Sequence, residues 1–465
     1  MSVIGSTAPG NGASGSGERA AAPGASLPVR TCLAWGLGTV AVAALFNSIN
    51  VLLLRYVVDY AGISAALAGT LIAASKLYDA VIDPLVGAAS DRTRSRMGRR
   101  RPFLLAGGIL LALAALMVFN VPAGGGALSV CFFVLALLVY ATGYAMFSVP
   151  YMAMPAEMTS SIHERSRLIS FRVSAVAVAS LLAVFVGPQI MTIAGGGRTG
   201  HTALSIFLAI VVVAAALACF RGTRDAPFHY NPAVKATWSQ KLRSLAGNKP
   251  FVVLLVVKLL QLMALAVTQA AMPFLFQRVL RLGDSRMGIY FLVFYGTMIL
   301  IQPVWVRLAK MGGKRSIYML GTLLYGAIYL SWYFVGPDEP LALVYLRAVA
   351  LGAMGGAVLL FGQSLLPDTM EWDYRRTGMR REGMLSAVYT LVEKLAYALG
   401  AALTGIILGQ TGYIQNAAHQ EQPASAIAAI YWLASFIPFA FLVASIVALC
   451  FYDLDEKKFA EAERA

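Results

Sequence analysis

The fold is decided by the stretch Ile63-Ser-Ala-Ala-Leu-Ala-Gly-Thr-Leu-Ile-Ala-Ala-Ser-Lys76-Leu-Tyr-Asp79-Ala-Val-Ile-Asp83-Pro-Leu-Val-Gly-Ala-Ala89. Outside its central motif it holds only apolar and small residues, and about 20 of these are enough to cross a bilayer as a helix. Asp79 and Asp83 are four residues apart, so they share one helical face with Lys76 one turn earlier. An ionised side chain at the bilayer centre costs about 3 kcal/mol even on the insertion scale. The stretch therefore predicts a membrane-spanning helix whose charges have a function.

The composition of the whole chain indicates a membrane protein that crosses the bilayer many times. Of its 465 residues, 59% are hydrophobic and 13% are charged, and the mean hydropathy is +0.71. A soluble domain is about half apolar and about a quarter charged. The net charge of +15 comes from Arg and Lys in short loops between apolar segments, a pattern that sets membrane topology. We expect a small solute and the lipid bilayer as partners, no nucleic acid, and function as a monomer.

The cysteines and histidines give no sign of a metal site or a cofactor. Four cysteines are far apart along the chain, and the four histidines form no cluster. Zinc sites and redox motifs need close, regular spacing of such residues. We therefore expect no metal, no cofactor and no catalytic residues, and a coupling ion only.

Twelve apolar segments are each long enough to span a bilayer. The predicted organisation is a disordered tail at 1–30, a six-helix bundle at 31–220, a linker at 221–249, a second six-helix bundle at 250–452 and a tail at 453–465.

The loop charges predict the orientation. The loop Asp91-Arg-Thr-Arg-Ser-Arg-Met-Gly-Arg-Arg-Arg101 is strongly basic, as are the other even-numbered loops, so both termini should be cytoplasmic. Arg278, in the seventh loop, goes against this trend. Arg55 lies near the outer end of its span, where a long side chain can extend to the membrane surface. We expect a multi-pass protein of the plasma membrane, in a bacterium the inner membrane.

Two sequence matches indicate an internal repeat. Met97-Gly-Arg-Arg before span three matches Met311-Gly-Gly-Lys-Arg before span nine, and Pro155-Ala-Glu-Met after span four matches Pro367-Asp-Thr-Met after span ten. A duplicated six-helix unit in parallel repeat is the major facilitator architecture, with the substrate site between the halves near the midplane. The predicted fold is therefore an all-α membrane protein of twelve transmembrane helices in two pseudo-symmetric six-helix bundles.

The repeat also shows that the carboxylate pair belongs to one half. The same offset carries Asp79 and Asp83 to positions near Val293 and Thr297, which are uncharged. Carboxylates that served only as scaffold would be expected in both halves, so this asymmetry favours a function specific to the first half.

Several motifs together resemble a known family, the glycoside–pentoside–hexuronide:cation symporters, to which the melibiose permeases belong. The motifs that carry the resemblance are Lys76–Pro84, Ser90–Phe103, Val149–Tyr151, Pro155–Thr159, Glu164–Leu168, Asp373-Tyr, Thr377-Gly, Arg381–Gly383 and Glu393-Lys394.

The resemblance implies that Asp79 and Asp83 form the coupling-cation site, with Lys394 of span eleven beside it. Sodium-using relatives have an Asn before the second Asp and a Thr in span four, where this chain has Ile82 and Ala145. Sodium, like other hard cations, needs several oxygen ligands, whereas a proton needs only one suitable carboxylate. H+ is therefore favoured, and Na+ at Asp79 and Asp83 stays the alternative. A purely structural ion pair of the carboxylates with Lys76 or Lys394 is a further interpretation. Lys394 is also open to two roles, moving during transport or only neutralising the carboxylates.

The resemblance is weaker at the substrate site. The acidic residues expected for galactoside binding are replaced near Ala43 and Ser148. Asn47 and Asn50 are candidates for substrate contact or for hydrogen bonds between helices, and Arg172 lies near a substrate-contacting Arg of the family. A glycoside or sugar acid is the favoured substrate class, and a lysolipid- or peptide-like amphipathic solute is the alternative.

The arginine-rich loop predicts a cytoplasmic gate in addition to its role in topology. Its residues are Asp91, Arg92, Arg94, Arg96 and Arg99. Taken together, the sequence predicts a secondary active symporter that works by alternating access and is not an enzyme. A transport-inactive receptor or scaffold is the alternative outside this class.

Overall fold

The computed structural model describes residues 27–95, 97–159, 161–226, 248–377, 382–415, 421–452 and 454. Within these residues the regular secondary structure is entirely helical. Eleven helices are long and apolar enough to cross a membrane, and a bent pair of helices makes a twelfth. The spans are α1 Val29–Ala61, α2 Ala65–Arg92, α3 Arg101–Val118, α4 Ala127–Pro155, α5 Arg167–Ile193, α6 Gly197–Gly222, α7 Lys249–Val279, α8 Asp284–Leu300 with Gln302–Met311, α9 Lys314–Phe334, α10 Leu341–Arg376, α11 Met384–Gln410 and α12 Ala424–Cys450.

Span α8 is broken in its second half. Its two segments meet at a bend of 41° around Ile301. Pro303 lies in the first turn of the second segment, where its missing N–H is tolerated but prevents a continuous helix through the bend. Gln302 covers the break by donating to the carbonyl oxygens of Met298 and Gly356.

The two halves of the chain, α1–α6 and α7–α12, pack in the same pattern. Helix α1 packs against α5 and α6, as α7 packs against α11 and α12. Helix α3 packs against α4 and α6, as α9 packs against α10 and α12, and the pair α2–α4 matches α8–α10. This is the predicted major facilitator fold of two pseudo-symmetric six-helix bundles.

The repeat extends to individual ion pairs. Arg100 at the start of α3 binds Glu157, just beyond α4, with an N–O distance of 2.8 Å. In the second half, Lys314 at the start of α9 matches Arg100 and binds Asp368 of α10 at 2.9 Å, one residue before the position that matches Glu157. The sequence matches that predicted the repeat therefore mark the residues that join consecutive helices.

The halves meet through α2 with α11 and through α5 with α8. We call the end of the bundle where α1 begins and α12 ends the termini side, and the other end the opposite side. Near the opposite side, α2 and α11 approach through glycines: a Cβ on Gly69 would lie 2.7 Å from the Ala401 oxygen, and one on Gly405 would lie 2.3 Å from the Ala65 oxygen. Small residues permit such close helix packing in membranes.

Candidate functional site

The two carboxylates of α2 each have an ammonium partner. Asp79 is only 2% exposed, and its Oδ2 lies 3.6 Å from the Nζ of Lys76 on the same helix. Lys394 of α11 donates to Oδ2 of Asp83 and so joins the two halves. The structure thus brings together Asp83 and Lys394, which are far apart in the sequence. Their role in cation coupling stays a prediction.

Aromatic rings surround both lysines. The Nζ of Lys76 lies 4.8 Å from the ring centre of Tyr140 and 5.8 Å from that of Phe46. The Nζ of Lys394 lies 5.5 Å from the ring centre of Tyr144. Ring faces attract cations at these distances, so the tyrosines of α4 help to hold the ammonium groups away from water.

A second ion pair lies beside the first on α11. Glu393 precedes Lys394 and binds Lys258 of α7, with an N–O distance of 3.5 Å. Lys258 is 7% exposed, and its Nζ lies 3.1 Å from the ring centre of Tyr389. The neighbours Glu393 and Lys394 therefore pair with different helices, α7 in the second half and α2 in the first.

Among the residues that the structure describes, Arg172 of α5 has no acidic partner. Its side chain is half-buried, and within the described part of the chain its buried Nε has no hydrogen-bond partner. Tyr144 is close enough to interact electrostatically with Arg172, Lys394, Asp79 and Glu393.

We call these seven charged side chains the charged belt: Lys76, Asp79, Asp83, Arg172, Lys258, Glu393 and Lys394. Asp83 and Lys258 each lie nine residues from the termini-side end of their helix, which is about 14 Å at 1.5 Å per residue. The belt has four basic and three acidic groups, so it carries one net positive charge when all are ionised. Three ion pairs account for six of the seven groups, and Arg172 belongs to no ion pair with a described residue.

The site also contains residues outside the predicted set, namely Tyr144, Lys258 and Glu393. A signal for Lys258 was present, because a lysine in the middle of an apolar span is unusual and indicates a function. Nothing local to Tyr144 set it apart from the other aromatic residues of α4.

Two of the four predicted substrate contacts are bonded within the protein. Asn47 donates through Nδ2 to Ser180 Oγ of α5 at 3.1 Å, and Asn50 donates to the Phe46 carbonyl of its own helix. Ser148 is half-buried on α4, one turn after Tyr144. Substrate contact by Asn47, Asn50, Ser148 and Arg172 stays a prediction.

The predicted gate at the termini side is centred on a residue outside the predicted set. Arg99 and Arg100 both bind Glu157, each with an N–O distance of 2.8 Å. Arg100 also binds Asp91 at 2.5 Å, so it connects the ends of α2, α3 and α4. Arg92 and Arg94 are exposed, and Arg96 lies outside the described residues. These ion pairs lie within the first half, and their role as a gate stays a prediction.

At the opposite side, ion pairs connect the two halves. Arg55 of α1 binds Asp284 of α8 through two contacts of 2.6 and 3.3 Å. Asp59 of α1 lies 3.2 Å from Arg278 of α7 and accepts a hydrogen bond from Tyr413 at 2.9 Å. The expectation that Arg55 extends to the membrane surface is wrong, because the charge of Asp284 holds it inside the protein at 2% exposure. Arg278, the exception among the loop charges, is likewise held by Asp59.

Asp59 and Arg278 lie in equivalent π-helical turns at the ends of α1 and α7, the first helices of the two halves. Asp59 lies in a π-helical turn at the end of α1, Val57–Ala61, and Arg278 lies in one at the end of α7, Leu275–Val279. Such wider turns often occur at functional sites. A further contact joins α5 to α8, where Gln189 and Ser285 exchange two hydrogen bonds. The opposite side is therefore closed by contacts between the halves.

The twelve-helix fold, with charged groups buried between its halves, defines a membrane transporter of the major facilitator class. The chain belongs to the family described as MFS/sugar transport protein, whose sequence profile matches residues 34–456.

Comparisons with individual proteins agree with this family. The chain is 29% identical to the glucuronide carrier protein homolog of Escherichia coli (strain K12), over 93% of this chain and 94% of the relative. It is 25% identical to a putative glycoside/cation symporter of the same organism, over 93% of each. The crystal structure of a bacterial homolog of the human lysosomal transporter Spinster, in an inward-facing and unoccupied conformation, has the same fold. The superposition of the two structures has a TM-score of 0.68 at 16% sequence identity. It covers 94% of this chain and 99% of that one. The resemblance to the glycoside–pentoside–hexuronide:cation symporters is confirmed, and the protein is a sugar-type symporter, not an enzyme.

Proposed function

We propose that the protein couples the inward movement of a proton to the uptake of a sugar acid or its glycoside by alternating access. The observation that supports this most is the charged belt, in which every acidic group has a basic partner while Arg172 has none within the described parts of the chain. The charges of the belt favour a proton as the coupling cation and, separately, an anion as the substrate.

The surroundings of the carboxylates favour a proton over sodium. Lys76 and Lys394 already place an ammonium beside each aspartate, and Na+ would meet their repulsion. Ile82 and Ala145 add no side-chain oxygen where sodium-using relatives have one. Among the described residues there is also no group of three or more His, Cys, Asp and Glu side chains that could hold a metal ion. A proton on Asp83 needs no further ligand, and it releases Lys394 from its ion pair.

The net charge of the belt favours an anionic substrate. With one proton bound, the belt would carry two positive charges in a region of low dielectric, where uncompensated charge is costly. A carboxylate or sulfonate on the substrate would offset one of them, and a guanidinium binds such groups through two parallel hydrogen bonds. One relative is named a glucuronide carrier protein homolog, and a glucuronide is an anionic sugar of this kind.

These arguments give a transport cycle. Proton binding and opening of the opposite side let the substrate's anionic group reach Arg172 and the released Lys394. Closure through the contacts of Arg55 and Asp59 then leaves the termini side as the exit. The basic loops on the termini side support a cytoplasmic location for both termini, in the inner membrane if the cell is bacterial. The linker at 221–249 would connect the two moving bundles.

Uptake into proteoliposomes tests this function. Labelled D-glucuronate, methyl β-D-glucuronide and methyl β-D-galactoside are compared under an inward pH gradient and under an inward Na+ gradient. We expect the glucuronides to accumulate with the pH gradient alone. Arg172→Gln should reduce this uptake by about a hundredfold, whereas Arg167→Gln, on the same helix and bound to Glu164, should reduce it less than about twofold. Accumulation driven only by Na+, or equal uptake of the galactoside, would overturn the proposal.

A further inference from the structure

Glu393 is the most exposed carboxylate of the charged belt. Its side chain is 41% exposed, compared with 2% for Asp79 and 27% for Asp83. Its donor among the described residues is Lys258 of α7, which contacts Oε2 at 3.5 Å and not Oε1. An ion-paired carboxylate has only acceptor positions, about four on its two oxygens, and one ammonium contact leaves most of them open. Glu393 can therefore accept hydrogen bonds from a molecule at its exposed edge.

This edge faces the space between the halves and not the lipid. Helix α11 has a polar face at helical spacing, formed by Ser386, Thr390, Glu393 and Tyr397. Leu399 is apolar and exposed, and it lies nine residues after Thr390, which at about 100° per residue places it on the other side of the helix. The ring of Tyr397 lies 5.2 Å from that of Phe46 on α1, so the polar face of α11 is turned towards the first half.

The polar face is also open towards the termini side. Thr390 and Ser386 are exposed, and they lie one and two turns from Glu393 in that direction. The contacts of Arg55 and Asp59 between the halves close the opposite side. A solute that leaves by the termini side therefore passes along this face of α11.

A sugar needs acceptors for its hydroxyl groups, and the first half offers few carboxylates for them. The acidic residues expected for galactoside binding are replaced near Ala43 and Ser148, and both carboxylates of α2 are occupied by ammonium groups. In the second half, Glu393 directly precedes Lys394, and consecutive Cα atoms are about 3.8 Å apart. A sugar whose carboxylate meets Lys394 in the proposed cycle therefore comes within reach of Glu393.

We propose that Glu393, with its Oε2 held by Lys258, accepts hydrogen bonds from hydroxyl groups of the sugar ring. This rests on the proposed function, because it extends the anion site to the rest of the same sugar. The substrate is then recognised at two points, its carboxylate through Arg172 and Lys394 and its hydroxyl groups through Glu393. An anion without hydroxyl groups uses only the first point.

A purely structural ion pair between α7 and α11 would have a different effect. Its loss would change Vmax, or it would weaken the binding of every sugar by the same factor. A direct hydrogen bond instead makes the effect of replacing Glu393 depend on which hydroxyl groups the sugar carries. Combining the substitution with deoxy sugars is therefore a double-mutant cycle that isolates the direct contact.

The experiment measures counterflow of labelled methyl β-D-glucuronide in proteoliposomes and its inhibition by the unlabelled 2-, 3- and 4-deoxy analogues. In the parent protein, at least one analogue should bind about tenfold more weakly than the full sugar, because a hydrogen bond to a charged group is lost. Glu393→Leu is made together with Lys258→Met, so that no buried ammonium is left without its partner. This double variant should raise the KM of the full sugar about thirtyfold and change the inhibition constant of that analogue less than about threefold.

Two further variants complete the test. Glu393→Gln keeps a neutral acceptor, so it should show the same pattern with a KM raised about tenfold, and it decides the matter if the double variant does not insert. Glu371→Gln is the control, because Glu371 is also an exposed glutamate in an ion pair, with Arg375 at 2.8 Å on α10. It should leave the KM and all inhibition constants unchanged.

The outcomes distinguish this inference from the proposed function. If the parent protein does not exchange the glucuronide, the proposed function fails. If the parent exchanges it with dependence on Arg172 but binds all three deoxy analogues as well as the full sugar, the role of Glu393 is overturned. An unchanged KM in the Glu393 variants, or an equal loss for the full sugar and every analogue, would also overturn it.

Discussion

Arg55 of α1 and Asp284 of α8 form a buried two-point ion pair between the halves, with N–O distances of 2.6 and 3.3 Å. The side chains are 2% and 15% exposed. Removing one partner of a buried pair leaves the other charge uncompensated, at a free energy on the order of 3 kcal/mol. Because the pair joins the two halves, separating them on the opposite side would break it, and the pair therefore stabilises the closed conformation.

Asp284→Asn should therefore shift the protein towards the conformation that is open on the opposite side. The four native cysteines are first replaced, and a single cysteine is placed at Gln189, where α5 meets α8. We expect a membrane-impermeant maleimide to label this cysteine about tenfold faster in Asp284→Asn than in its parent.

The control for this shift is Glu339→Gln. Glu339 binds Arg347 at 2.5 Å on the same side of the protein, but both residues belong to the second half. Breaking their ion pair should leave the labelling rate unchanged. Equal labelling of Asp284→Asn and its parent would show that the ion pair does not hold the halves together.

Gly405→Val should prevent closure of the opposite side because the added side chain would clash with the backbone of α2. A Cβ at this position would lie 2.3 Å from the carbonyl oxygen of Ala65, a backbone atom that cannot move aside without shifting α2. We expect labelling at the Gln189 position to rise and transport to fall more than about tenfold. Gly336→Val, where no atom lies within 4 Å of the added Cβ, should do neither. Normal transport by Gly405→Val would contradict the close approach of α2 and α11.

The sequence predicts the twelve spans and the repeat because membrane helices satisfy their backbone hydrogen bonds internally and depend mainly on local composition. It identifies Asp79 and Asp83 because charges in an apolar span are costly. It does not identify the partner of Arg55, because Asp284 is 229 residues away in the chain and an arginine near the end of a span usually extends to the membrane surface. Arg100 and Glu393 have the same difficulty, since their contacts come from helix packing and not from spacing along the chain. Lys258 carries a local signal as a lysine within an apolar span, but its partner Glu393 is 135 residues away.

Asp83→Asn should uncouple transport from the pH gradient. Asparagine cannot take up a proton, and it also leaves Lys394 permanently unpaired, as protonation of Asp83 does in the proposed cycle. We expect uphill accumulation of the glucuronide to disappear while exchange of labelled for unlabelled sugar continues within about threefold of the parent rate. Asp368→Asn, which breaks the Lys314 ion pair at the termini side, serves as the control and should keep accumulation. Accumulation by Asp83→Asn would exclude this carboxylate as the coupling site.

Lys394→Gln tests whether the ammonium between the halves has a role in transport beyond neutralising Asp83. The substitution leaves the carboxylate of Asp83 without its ammonium partner between the membrane-spanning helices, so the melting temperature of the purified protein should fall by several degrees. Adding Asp83→Asn removes the unpaired charge and should restore the melting temperature.

The double variant also separates two roles for Lys394 in transport. If Lys394 only neutralises the carboxylate, sugar exchange should return in the double variant as well. If Lys394 also binds the anionic group once Asp83 is protonated, as the proposed cycle requires, the double variant should be stable but exchange the glucuronide with a KM at least about tenfold above that of Asp83→Asn alone. A double variant with the same KM as Asp83→Asn would confine Lys394 to neutralisation and leave Arg172 as the anion-binding residue.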